Sequence, residues 1–318
     1  MSNKACLIFN PISGQGDPEQ DLQKIQEILS RKYDLTTKVT TKEIGSQELA
    51  YEAVKEGANI VIASGGDGTV STATLALINT DISFGVIPRG TANAFASALG
   101  IPDTIEEACE TVMEEQIRKV DVAKCNNKPM LLLAGIGFEA KTIEAASREL
   151  KTKWGILAYL LSGLQQLRDF DMFEAEIETD EKIIRTSAAA ITVANTAPPT
   201  SVLAQGPAGV IFDDGYLDLT IVAPTNWTGA IAASYHLLQT GLRGDAAIRD
   251  DIGYIRTKRV KITTKPEQKV VLDGEVIGTT PLNVECIQAG LNVCVPMLPE
   301  PEVTEKLQGL PDLEIEIK

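Results

Sequence analysis

Up to about residue 125 the chain alternates short apolar or β-branched runs with amphipathic stretches, and that alternation limits its fold more than any other feature. The pattern predicts strands over 5–10, 35–40, 59–63 and 84–87, with helices over 19–32, 47–56 and 69–78 between them. Strands joined by helical crossovers pair in parallel, and the resulting sheet is covered by helices on its faces. Ligands of such sheets gather at the carboxyl ends of the strands. Three loops at those ends carry the polar and glycine residues: Asn10-Pro11-Ile12-Ser13-Gly14, Ser64-Gly65-Gly66-Asp67-Gly68-Thr69 and Pro88-Arg89-Gly90-Thr91-Ala92-Asn93.

After about residue 119 the rhythm changes to strand-like runs over 120–124, 130–133, 175–178, 189–194, 217–222, 260–263, 269–272, 282–286 and 291–295. A second, mainly antiparallel β domain is therefore expected. A chain of 318 residues is long for one compact unit. The division expected is 1–125 for an α/β domain and 126–296 for a β-rich one. The tail, 297–318, is expected either to hang free or to pack back on the first domain.

Composition narrows the chemistry. With 44% hydrophobic and 23% charged residues, the chain has the balance of a globular protein. No uncharged apolar run approaches the roughly 18 residues of a spanning helix, and the N-terminus lacks a secretory pattern, so cytoplasmic residence is expected. The five cysteines form no C-x-x-C pair, which favours buried thiols over a disulfide framework or zinc site. The one histidine, His236, lies in a helical, core-like stretch, a poor place for a Ser-His-Asp triad. A formal charge of −15 opposes binding to nucleic acid and broad adhesion to anionic membranes. It leaves room for a nucleotide, because magnesium and a helix N-terminus can hold phosphate in an acidic protein.

Neither G-x-x-x-x-G-K-[ST] nor a complete G-x-G-x-x-G is present. The loop from Gly65 to Thr69 has two readings on its own residues. It is a tight strand-to-helix turn with Asp67 as a cap, or a cradle whose glycines let backbone amides meet phosphate. Asp213-Asp214-Gly215 and Asp273-Gly274 likewise have the composition of turns.

Taken in order, Asn10-Pro11-x-Ser13-Gly14, Gly65-Gly66-Asp67-Gly68-Thr69, Pro88-x-Gly90-Thr91-x-Asn93, Gly135-Ile136-Gly137-Phe138-Glu139-Ala140, Asp213-Asp214-Gly215-Tyr216-Leu217-Asp218 and Asp273-Gly274-Glu275 resemble the diacylglycerol kinase catalytic-domain family, in particular bacterial lipid kinases of the YegS type. The resemblance covers almost the whole chain. It implies an α/β domain with a doubly wound, mostly parallel sheet, followed by an antiparallel β-sandwich domain. It also implies an ATP-dependent lipid kinase, with ATP on the first domain and the hydroxyl of diacylglycerol or a related lipid as acceptor. By position, Asn10, Pro11, Ile12, Ser13, Gly14, Thr40, Gly65, Gly66, Asp67, Gly68, Thr69, Val70, Ser71, Thr72, Thr91 and Asn93 match the ATP-contacting segments. Asp214, with backbone oxygens of Ile211 and Tyr216, matches a structural Mg2+ site. Glu275, supported by Asp273, matches the proposed base.

Phosphoryl transfer needs a cradle, a carboxylate-held magnesium ion and a group that orients or deprotonates the hydroxyl. Asp67 and Asp121 are the candidates for the magnesium side. In an extended segment Asp273 and Glu275 point to one face and can share the acceptor proton. Three features depart from the family pattern: Ala94 stands where Asp is usual, Ser71 stands where Asn is usual, and Asn195-Thr196-Ala197-Pro198-Pro199-Thr200 lacks a glycine cluster. The stretch Arg148, Lys151, Lys153, Trp154 and 156–161 is either a core helix or a transient, peripheral membrane contact at the inner face. Loss of the acidic residue at 94 motivates a second reading, a nucleotide-binding regulator with weak or lost activity. A kinase of a soluble acceptor such as NAD is a third, and a homodimer is left open.

Overall fold

The computed structural model describes residues 3–14, 16–137, 171–207, 209–298 and 303–318. The chain forms two units: Met1–Val122 with Gln288–Pro299, and Ala123–Ile287 with Glu300–Lys318.

In unit 1, strands β1 (Lys4–Phe9), β2 (Asp34–Val39), β3 (Ile60–Gly65) and β4 (Ser83–Pro88) pair in parallel in the order β4-β3-β1-β2. Helices α1 (Pro18–Leu29), α2 (Ser46–Lys55), α3 (Asp67–Thr74), α4 (Ala94–Ala98) and α5 (Ile105–Glu114) supply the crossovers and covers. The chain leaves β1 toward one side for β2 and then crosses to the other side for β3. The point where the order reverses therefore lies between β1 and β3, where ligands of open α/β sheets bind. All of β3 is buried, as a central strand covered on both faces must be, whereas edge strand β2 is partly exposed. α1 starts where Asp17 caps the Glu19 N–H and Pro18 supplies a preset φ. It ends at Leu29, short of the predicted 32.

In unit 2, the strands form two antiparallel layers. After β5 (Ile117–Cys125) and β6 (Lys128–Met130), one layer has the order β12 (Ile252–Thr257), β11 (Leu217–Val222), β10 (Ala190–Ala194), β7 (Leu133–Gly137), β14 (Lys269–Leu272), β15 (Glu275–Thr279). The other runs β17 (Glu314–Ile317), β9 (Lys182–Ala188), β8 (Phe173–Thr179), β13 (Arg259–Lys265), then the start of β16 (Leu282–Cys294). Ile136, Ile191 and Leu219 of the first layer and Ile177, Ile184 and Ile262 of the second share one buried cluster, which makes a sandwich. Helix α6 (Trp227–Arg243) packs Ala233 and Leu237 with Val222, Ile252 and Tyr254 of the first layer. Strands β10 and β11 are consequently buried along their whole length, while β8 and β13 alternate. The fold is thus the expected α/β unit with a mostly parallel sheet and an antiparallel β-sandwich.

Two features differ from expectation. The runs 282–286 and 291–295 are one 13-residue strand, β16, interrupted in pattern by exposed Gln288 and Ala289. Its last residues pair in parallel with β4, through Asn292↔Ser83 and Val293↔Phe84. The tail, expected to hang free or return to the first domain, is divided: Gln288–Pro299 belongs to unit 1, but the end of the chain closes the sandwich of unit 2. Lys306 exchanges backbone hydrogen bonds with Tyr254 on edge strand β12, and β17 pairs with β9. Unpaired strand edges invite association, and this tail covers two of them. It is anchored by Leu310, 6% exposed and part of the sandwich core. Among the described residues no helix is long and apolar enough to cross a membrane.

The anchored tail makes a clear expectation. Leu310→Ala should destabilise the protein by roughly 2–5 kcal/mol, the usual effect of emptying a buried leucine site. Urea unfolding measures it, and a change near zero would mean the tail does not pack on unit 2.

Candidate functional site

The three glycine-bearing loops of unit 1 meet because their strands are in parallel register, with Phe9 opposite Ser64 and Gly65 opposite Pro88. Contact between two of the loops is backbone on backbone. A Cβ on Gly90 would lie 2.6 Å from the Gly66 Cα, and one on Gly66 would lie 3.2 Å from the Gly90 Cα. Gly65 is excluded from having a side chain too, since its Cβ would fall 2.6 Å from the Thr69 hydroxyl. Gly66 is the extended N-cap of α3, and no side chain caps that end. First-turn amides and the positive end of the helix dipole are therefore available to an anion. Asp67 occupies the first helical position instead of capping the helix.

Side chains lock this arrangement. Asn10 Nδ2 donates to the Thr69 hydroxyl at 2.8 Å, while its Oδ1 accepts the Ile12 N–H. Gly66 N–H donates to Ser13 Oγ at 3.3 Å. Thr40 N–H donates to the Phe9 carbonyl at the end of β1. Ser46 of α2 donates to the Thr69 carbonyl and lies 2.5 Å from the Thr72 hydroxyl, which donates to the Gly68 carbonyl. Ser71 also donates to the Gly68 carbonyl. Val70 is buried, so it serves packing. Asn93, in the left-handed region at φ 47°, closes its loop by accepting the Gly90 N–H. Ile12, Gly14, Gly68 and Thr91 are exposed, and Pro11 is half-buried.

The candidate magnesium carboxylates part company. Asp67 Oδ1 accepts the Phe95 N–H at 3.4 Å, which brings it to the start of α4, beside Ala94. An Asp at 94 would stand next to it; alanine leaves Asp67 without that neighbour. Asp121 is 1% exposed in β5 and accepts the Ala289 N–H. Buried this way it holds the turn in β16, a structural duty and not the ligand-facing one expected of it.

In unit 2, Asp273 and Glu275 do not share a face of an extended segment. Asp273 and Gly274, at φ 47° and 90°, are the two residues of a tight hairpin turn between β14 and β15, with Leu272 opposite Glu275. The Asp273 carboxylate folds back to accept the N–H groups of Leu131, Leu132 and Leu133 at 2.9–3.0 Å. Carbonyls of the same segment are taken by Asn195 and Thr196, both buried, whose side chains donate to the Leu131 oxygen. Asp273 thus ties the hairpin to residues 131–133, and Glu275, at the head of β15, is exposed. The Asp214 carboxylate accepts the Tyr216 N–H through Oδ1 and meets Arg256 Nη2 through Oδ2. His236 accepts the Ile248 N–H on Nε2, and burial, then Arg249, pushes its pKa down. Among the described residues no cluster of three or more His, Cys, Asp or Glu side chains can hold a metal ion.

Residues 4–125 match the diacylglycerol kinase catalytic domain, and residues 133–295 match the YegS C-terminal NAD kinase beta sandwich-like domain. An uncharacterised Synechocystis protein is 45% identical over 92% of this chain and 70% of its own. A Bacillus subtilis protein named diacylglycerol kinase is 31% identical over 92% of this chain and 96% of its own. A Bacillus anthracis crystal structure described as a diacylglycerol kinase superposes with a TM-score of 0.71 at 26% identity, covering 92% of this chain and 97% of that one. The chain belongs to the diacylglycerol kinase family.

For a member of the diacylglycerol kinase family, one residue of the first unit stands out that its motifs skip. Arg89, the variable position of Pro88-x-Gly90, is 6% exposed. It pairs with Asp21 of α1 at 2.8 Å, donates to the Asn10 carbonyl at 3.0 Å and lies over the Phe9 ring at 4.4 Å. One guanidinium therefore joins the first and third loops. A motif with a free position gives no signal for it; a charged residue in an otherwise apolar strand end was the available hint. The stretch 148–161 and residues 138–140 lie outside the described residues.

Backbone contact between Gly66 and Gly90 leads to a sharp expectation. Gly90→Ala, a single methyl group, should cost about 1–3 kcal/mol by overpacking and part the two loops. Chemical denaturation together with nucleotide-binding calorimetry checks both effects, and wild-type values in either would contradict the close-approach account.

Proposed function

We propose that this chain is an ATP-dependent lipid kinase that transfers the γ-phosphoryl group to a hydroxyl of diacylglycerol or a related lipid. The observation that carries the reading is the uncapped α3 N-terminus behind Gly66, pressed against Gly90 at the strand-order reversal, in a chain of the diacylglycerol kinase family. Amides of that turn would face the phosphates, and the polar pins from Asn10, Ser13 and Thr69 hold the cradle in place before ligand arrives. Magnesium carried with nucleotide keeps several waters and needs only one or two protein carboxylates, so Asp67 alone fits as its protein ligand. When bound, the ion neutralises charge on the phosphate oxygens. Glu275 would take the proton of the attacking hydroxyl, while Asp273 fixes the hairpin that presents it. Meeting a lipid requires peripheral contact with a membrane.

Separating the two carboxylates tests this assignment. Glu275→Gln should lower kcat by about 10²–10⁴ and leave stability within about 0.5 kcal/mol. Asp273→Asn should instead lose about 1–3 kcal/mol of stability, because charged acceptance of backbone N–H groups is weakened. Labelled ATP, magnesium and a lipid panel provide the activity assay. Normal turnover by the Glu275 variant would remove it from the mechanism.

Ala94 beside Asp67 favours a second reading, a nucleotide-binding regulator whose transfer activity is weak. The same lipid panel decides: nucleotide binding without a labelled product supports the regulator. Ala94→Asp should then raise magnesium-dependent nucleotide affinity, as calorimetry would detect, by restoring the second carboxylate.

A further inference from the structure

The loop between Ile211 and Tyr216 is where the family resemblance places a structural magnesium ion, with Asp214 and the carbonyls of Ile211 and Tyr216 as ligands. The donor set does not fit that ion. One Asp214 oxygen accepts the Tyr216 N–H, and the other is buried against Arg256 Nη2 in an ion pair in which neither atom makes a hydrogen bond. Arg256 reaches it from β12, where strand register sets it opposite Asp218 of β11. Its Nε donates to Asp218 Oδ1 at 3.0 Å. The other Asp218 oxygen accepts the Ile211 N–H, and Tyr216 places its ring 5.3 Å from the guanidinium. Asp214 and the Tyr216 ring thus lie against this one side chain, and the Ile211 N–H is tied to it through Asp218.

Burial suits a fixed internal cation. The side chains of Arg256 and Asp218 are 8% and 1% exposed. Arg256 N–H also donates to Glu305 in the tail that covers β12. A divalent cation entering beside the guanidinium would meet like charge at short range and would have to displace it from Asp214. We infer that Arg256 supplies the cation of the 211–216 loop, so that unit 2 holds this loop without a divalent ion. The inference is independent of which acceptor the enzyme phosphorylates.

Thermal unfolding of the nucleotide-free, full-length protein tests it in excess EDTA and in magnesium. The wild-type melting temperature should be the same in both. Arg256→Met, which keeps the side-chain bulk and removes the charge, should melt several degrees lower, with Arg256→Lys between the two. A wild-type melting temperature that rises with magnesium and loses that rise in Asp214→Asn would overturn the inference. So would an Arg256→Met protein that melts like the wild type in EDTA. Should that variant fail to fold, manganese titration of the wild type followed by electron paramagnetic resonance decides. Free manganese left undepleted supports the internal cation, and stoichiometric binding abolished by Asp214→Asn refutes it.

Discussion

The near-contact of the Gly66 and Gly90 backbones governs the geometry of unit 1. Two loops that leave neighbouring parallel strands can converge only if neither carries a Cβ at the point of approach. Once they converge, the amide end of α3 is fixed relative to β4, and Asn93 can close its own loop onto Gly90. The hydroxyl of Ser13 accepts the Gly66 N–H across the loops, and that of Thr69 accepts the Asn10 side-chain amide. The site is built mainly from main chain, and its side chains chiefly hold that main chain still. Phosphate recognition is well served by such an arrangement, because fixed dipoles need not reorganise when charge arrives.

Unit 2 solves a different problem. Its six-stranded layer is buried on both faces over β10 and β11, so polar groups at strand ends must be satisfied from within. Asp273, Asn195 and Thr196 do this for residues 131–133, one accepting amides and the others donating to a carbonyl. The sandwich edges are closed by the tail instead of by another strand of the main layers. A carboxylate at the start of β15 gains a rigid support without being buried itself.

Most of the architecture was legible in the sequence, because helix and strand periods are local and the glycine loops punctuate them. Strands β11 and β14 fall where alternation and flanking turns predict. The signal fails where the determining partner is distant. Asp273 acquires its role from amides 140 to 142 positions away. Arg256 acquires its role from a register that sets it beside Asp218, 38 positions earlier. Strand β9, with the polar Arg185 and Thr186, and β17, with Glu alternating with Ile, have no apolar run strong enough to announce them. For the same reason the tail was expected elsewhere: nothing in Leu310 alone says which core it enters.

The loop after β4 and the 211–216 loop both rest on arginine, and the choice has a physical basis. Arg89 spreads bonds to Asp21 and Asn10 over one planar group and stacks that plane on Phe9. Arg256 does the same with Asp218, Asp214 and the Tyr216 ring. A lysine ammonium is a single point with no plane to stack, and burial would strip its proton more readily. Burial lowers the Arg256 guanidinium from its ordinary value, and the charge of Glu305 opposes that shift. In a chain with a net charge of −15, each guanidinium also offsets acidic residues that would otherwise repel one another within a folded unit. The loops are therefore braced by buried arginines, while Glu275 stays exposed and Asp67 half-buried.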